Sequence, residues 1–272
     1  MTSTKEHAPF GHETVHFINN RLYSATMQVE LLPKIHDPQI VNMPYWYRIF
    51  QYLDKEVTKR RELRSIDKAH KNTKTKILFA DYHYHILNQV YAPKATKRHA
   101  ETPKWALAEM DSIIVNLYSA LDSLANEINI LYNFQIDIRN ICIHHNVVEK
   151  QHASYKNDNC LRCRLSRIDD KLSQFLEHEL GHDWFSNFKD TRVQMVHRDQ
   201  PIYLQGISHG DPEFPNDAII LLLPNQPCKE NPQMHDYSKH YDFNTYSQER
   251  RIDVVTLIEQ AYKLMEPKIM AL

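Results

Sequence analysis

Three groups of residues in this chain have types and spacing that could do chemistry. The first is His178-Glu179-Leu180-Gly181-His182. On a helix this pattern sets two imidazoles on one face with a carboxylate beside them, the arrangement in which zinc peptidases hold their metal and use the glutamate as general base. A second copy, His12-Glu13-Thr14-Val15-His16, lies near the N-terminus, and with 17 histidines in 272 residues the pattern is less specific here than usual. The longer metal-binding form is excluded, because Phe185 and Phe188 stand where its glycine and third histidine would be. Glu213 or Glu249 could supply a third ligand. The alternative is a solvated helix face, since the stripe of Leu172, Leu176, Leu180 and Trp184 lies about 200° around the helix from His178.

The second group is Cys160-x-x-Cys163, with Cys142, His144 and His145 as candidate partners and Cys228 isolated in sequence. A lone pair without a second knuckle reads as ordinary thiols, with metal binding as the alternative. The third is Arg-x4-His, present as Arg139 to His144 and as Arg192 to His197, the latter followed at once by Arg198. The second copy ends a long helical pattern, so it brings a fixed cation and a titratable imidazole within about one and a half turns. A guanidinium that grips a phosphate and a histidine that moves a proton are the minimum for metal-free RNA cleavage through the 2′-hydroxyl. The other reading pairs Arg192 with Asp190 and leaves His197 at the negative end of the helix dipole.

The elements that must position these groups are mostly helical. Only 4 glycines occur, where average usage of about 7% predicts roughly 19, and no two have the spacing of a dinucleotide fingerprint or a P-loop. Such scarcity also disfavours a many-stranded β fold. Apolar periodicity predicts helices near 12–32, 43–60 and 75–91, a polar linker at 92–103, and a long helix opening at Pro103. In that helix Met110, Ile113, Ile114, Leu117, Leu121, Leu124, Ile128 and Leu131 recur at steps of three and four. A second long helix is predicted from about 165 toward His197, with Gly181 in its interior. There a glycine costs about 1 kcal/mol relative to alanine and asks for a reason, either close packing near Arg192 or room for a metal. A β-hairpin follows at about 202–223, marked by Gly206 and Gly210, and a last helix carries Ile252, Val255, Ile258, Tyr262 and Met265.

The totals describe a globular chain with 33 basic against 34 acidic residues, so no global field steers nucleic acid and any RNA site must be local. The N-terminal residues carry no apolar signal segment and no run reaches the roughly 18 apolar residues of a membrane span, which leads to an expected cytoplasmic location with free thiols and no membrane partner.

The residues from Leu121-Asp122-Ser123-Leu124 to Asn129, and from Trp184 through Asp190 and Arg192 to Val196-His197-Arg198, resemble the first core helix and the motif helix of a bacterial branch of the HEPN superfamily. The resemblance covers about 104–270. It implies an all-α, four-helix-type bundle over 104–272 with a small hairpin insertion, preceded by an N-terminal helical extension over 1–100. It also implies a homodimer whose Arg and His line a shared cleft, no cofactor, and activity as a metal-independent endoribonuclease or RNA-binding protein in a toxin–antitoxin or defence setting. An antitoxin or a nucleotidyltransferase would then be the protein partner. By position Arg192 would hold the scissile phosphate, His197 would act as general acid or base, and Arg198 would contact RNA. Val193 departs from the Asn, Asp or His usual after the arginine and favours a non-catalytic dimerising scaffold. The Arg139 copy falls outside the matching elements. The rival from another class is a helical zinc-dependent hydrolase built on His178, Glu179 and His182.

Overall fold

In a computed structural model the described residues are 43–90, 102–141, 143, 161–197, 204–208, 218–223 and 241–272. They form seven α-helices: α1 (Pro44–Glu56), α2 (Arg64–Val90), α3 (Thr102–Leu131), α4 (Leu161–Leu165), α5 (Asp170–Leu180), α6 (Asp183–His197) and α7 (Phe243–Met270). The β-structure among them is a small antiparallel sheet of β1 (Leu204–Ser208), β2 (Ala218–Leu223) and β3 (Tyr241–Asp242), in that order. Leu204 pairs with Leu222 and Ser208 with Ala218, as in the expected hairpin, and Gly206 sits in β1 opposite Ile220. The class is all-α. The expected helix at 12–32, most of the 92–103 linker and Gly210 lie outside the described residues.

α3 organises the packing because it is apolar on more than one stripe. Met110, Ile113, Ile114, Leu117, Ala120, Leu121, Leu124, Ala125 and Ile128 are all buried, too wide a face for one neighbour. α2 covers one side, while α6 and α7 cover others, and α1 lies against α7 and α2. Helices ahead of residue 100 therefore contribute to the same core as those after it, and Met43–Leu272 is one packed unit.

α2 starts well before the helix expected at 75–91. Its early core positions are Ile66, Ala69, His70 and Thr73, and polar side chains at two of these steps hide the apolar period. The burial is stabilised by hydrogen bonds: His70 Nδ1 lies 2.9 Å from Glu127 Oε1 of α3, His70 Nε2 donates to the Trp46 carbonyl of α1 at 3.0 Å, and the Tyr262 hydroxyl of α7 donates to Glu127 Oε2 at 2.8 Å. Four helices meet at this network.

The first and last helices are tied directly. Met43 offers no side-chain cap to α1; instead the Glu259 carboxylate of α7 accepts from the backbone N–H groups of Tyr45 at 2.6 Å and Trp46 at 3.2 Å. Those are donors that every helix start leaves without an intrahelical partner, and a carboxylate there also meets the positive end of the dipole. Arg48 adds a bidentate pair with Glu266, at 2.6 and 2.9 Å. α7 itself is capped by Asp242, whose Oδ1 accepts from Asn244 and Thr245.

The helix expected from 165 through His197 is broken twice. α4 ends at Leu165 and α5 opens at Asp170, capped by Asp169, whose Oδ1 accepts from Leu172 N at 3.1 Å. Gly181 then ends α5, its N–H donating to the Glu177 carbonyl at 3.1 Å, and α6 starts at Asp183. A Cβ at Gly181 would stand 3.0 Å from that carbonyl oxygen, so the reason for the glycine is a crowded helix end rather than a helix interior. The apolar stripe survives the break: Leu172, Leu176, Leu180 and Phe188 are buried, while Ile168 at its start is 61% exposed.

Candidate functional site around Arg192

α6 is seated before its Arg192 is placed. Phe185 and Phe188 enter the core, Phe188 against Tyr118 of α3 with ring centroids 5.7 Å apart. From α7, the Tyr246 hydroxyl donates to Thr191 Oγ1 at 2.9 Å and Arg250 donates to the Trp184 carbonyl at 3.2 Å. Thr191 Oγ1 in turn donates to the Asn187 carbonyl at 2.8 Å. Aromatic packing on one side and hydrogen bonds on the other fix the helix immediately before the arginine.

Arg192 then points to α3. Its guanidinium carbon lies 4.8 Å from the centroid of the Tyr118 ring, within cation–π range, and its charge acts on the carboxyl of Asp122, one helical turn further along α3. Burial pushes that carboxyl up from its ordinary 3.8 to about 6, with the Arg192 charge opposing the rise. Asp190, which the alternative reading pairs with Arg192, is likewise raised by burial, and the charge that lowers it comes from Lys189. The cation is thus held over an aromatic face beside an acid whose carboxyl burial raises to about 6. That combination can bind an anion and exchange a proton.

His197 is the last residue of α6, and Val193 is half-buried. Arg198 lies outside the described residues, as do Cys142, His144, His145, Cys160, Glu213 and Cys228. Arg139 sits in a single 3-10 turn, Ile138–Asn140, where it is 85% exposed and pairs with Asp137 at 2.9 Å. Cys163 is half-buried in α4 and is not disulfide-bonded.

The HExxH residues 178–182 straddle the α5–α6 break instead of riding one helix. One donor atom each from His178, Glu179 and His182 lie within 4.8 Å of one another. The two rings stand 4.6 Å apart at 89°, and His178 Nδ1 is 3.2 Å from Glu179 Oε1. Both histidines are exposed, as a solvated face requires.

Sequence reasoning did not find Tyr118 or the role of Asp122. The signal was an acid directly after Leu121 on an otherwise apolar helix, four residues from a tyrosine. No protein-family description matches the chain, and neither does any curated protein or solved structure. Among the described residues no helix is long and apolar enough to cross a membrane.

Proposed function

We propose that this is a HEPN-like, RNA-directed protein in which Arg192 is the phosphate-binding cation and His197, at the end of the same helix, is the proton-transfer group of a metal-independent endoribonuclease. The observation that carries the reading is the position of Arg192, half-buried over Tyr118 and beside Asp122 on the adjoining long helix. A guanidinium already partly desolvated binds phosphate more strongly than one in water, and Tyr118 limits the orientations it must give up on binding. Asp122 competes with the phosphate when ionised and releases the arginine when protonated. RNA cleavage would then run through attack of the 2′-hydroxyl on the phosphate held by Arg192, with His197 taking or returning the proton.

A homodimer that lines a shared cleft with two such pairs, and a protein partner such as an antitoxin or nucleotidyltransferase, belong to the same proposal, as does a cytoplasmic location. Val193 favours a second reading in which the protein binds RNA or dimerises without cleaving it. The deciding experiment is incubation of the purified chain with single-stranded RNA in EDTA. Cleavage lost in both Arg192→Ala and His197→Ala supports the nuclease. RNA binding without cleavage, weakened by Arg192→Ala, supports the second reading. Cleavage unchanged in both variants overturns the assignment of the site.

A further inference from the structure

We propose that the α5–α6 break is a divalent transition-metal site whose ligands are His178, Glu179 and His182, and that the metal, of the Zn2+ type, braces the joint. This is independent of the RNA reading.

Two imidazoles and a carboxylate are the donor set preferred by borderline ions such as Zn2+, Co2+ and Ni2+, not by Ca2+ or Mg2+. With metal–nitrogen distances of about 2.0–2.1 Å, tetrahedral geometry requires donor separations of about 3.3–3.5 Å. His178 Nδ1 and Glu179 Oε1 are already 3.2 Å apart, and the whole donor set spans no more than 4.8 Å. Closing the remaining gap takes side-chain rotation alone, and the His178 side chain is 70% exposed and free to turn.

The arrangement differs from a peptidase centre in a way that defines its role. There the glutamate stands clear of the metal as a base, whereas here Glu179 is among the donors. The backbone explains this: the break at Gly181 leaves His182 between two helices, its N–H donating to the Glu179 carbonyl at 3.4 Å and its carbonyl accepting from Phe185 at 3.1 Å. A metal held by His178, Glu179 and His182 therefore ties the last turn of α5 to the residue that immediately precedes α6.

The surrounding charge favours a cation. On α7 the carboxyl of Asp253 is raised by burial and by the negative charges of Glu249 and Glu179, so three acids share this neighbourhood. Arg250 opposes them, its Nη2 lying 3.2 Å from Glu249 and 3.1 Å from Asp253. Because Arg250 is occupied by those two carboxylates, Glu179 remains available to the metal.

The test is titration of the full-length chain, freed of metal, with Zn2+ by calorimetry and with Co2+ by its visible absorption, for wild type, Glu179→Gln and the double variant His178→Ala/His182→Ala. The expected result is one equivalent bound by wild type that the double variant loses, with affinity at least tenfold weaker in Glu179→Gln. Zn2+ should also raise the thermal midpoint of wild type and not that of the double variant, because a ligand that binds only the folded state stabilises it. All substituted residues are at the surface, so folding is checked simply by circular dichroism. Wild type that takes up no metal, or a double variant that binds the same equivalents with the same affinity, overturns the proposal.

Discussion

His70 and Glu127 face each other across the interface of α2 and α3 with Nδ1 and Oε1 2.9 Å apart, and neither side chain has any solvent exposure. The partner of the other ring nitrogen settles part of the chemistry. A carbonyl oxygen only accepts, so Nε2 must carry a hydrogen for the Trp46 carbonyl, and one further proton is shared between Nδ1 and Glu127. The pair is satisfied on every side, with Tyr262 on the second carboxylate oxygen and Trp46 stacked on the imidazole at 4.8 Å and 3°.

Removing one member should leave the other buried without its partner. His70→Ala and Glu127→Ala are each expected to cost about 3–5 kcal/mol, and the double variant much less than their sum. Urea unfolding of the four proteins in the cycle measures this. Additive losses would show that the pair is not coupled.

Glu259→Ala should expose the start of α1. Two backbone donors lose their acceptor, an expected loss of about 1–2 kcal/mol. Hydrogen exchange locates it: the amides of Tyr45 and Trp46 should lose protection while those in the middle of α3 follow only the global change.

Asp122 sets a pH dependence whose sign is fixed. Its carboxyl is raised in the folded state, from 3.8 to about 6, so the neutral form is the better-tolerated one. Its contribution is fully present below about pH 4 and is lost as pH rises through about 6. Asp122→Asn keeps the shape and removes the charge. At pH 7 the variant should be more stable by roughly 1–2 kcal/mol, a figure reduced from the full linkage value because the group is only partly shielded from water. Thermal midpoints measured from pH 4 to 7 should fall less steeply for the variant than for wild type.

Tyr118→Ala should release Arg192 from its aromatic support, whereas Tyr118→Phe keeps the ring. If Arg192 binds RNA, the alanine variant should bind about two- to fivefold more weakly and the phenylalanine variant nearly as well as wild type, given a cation–π contribution of about 0.5–1 kcal/mol. Fluorescence anisotropy with a labelled single strand reads the difference.

Much of this architecture is legible in the residues. The long helix after Pro103, the closing helix and the hairpin follow from apolar period and turn residues, and they are where the periodicity places them to within a few positions. The first half of α2 was hidden because His70 and Thr73 occupy core steps, and a buried polar residue looks exposed until its partner, 57 residues away in the case of His70, is known. The break at Gly181 was visible as a glycine, but the stripe from Leu172 to Phe188 continues across it and favours one helix. For the candidate site, Arg192 and His197 were legible as a spacing. Tyr118 and Asp122 were not, because what gives them a role is the contact of α3 with α6, a relation between segments that no local pattern encodes.

α7 has a consequence for how the protein comes into being. Glu259, Tyr262 and Arg251 reach back to α1, Glu127 and Asp81, so the cap of the first described helix and the last bond of the buried network come from residues synthesised 214 and 135 positions later. Until α7 is made, the faces of α1, α2 and α3 that it covers have no apolar partner there. A chain without residues 243–272 would lose both Glu259 and Tyr262 and leave those faces open to water, so such a loss should abolish the fold rather than weaken it.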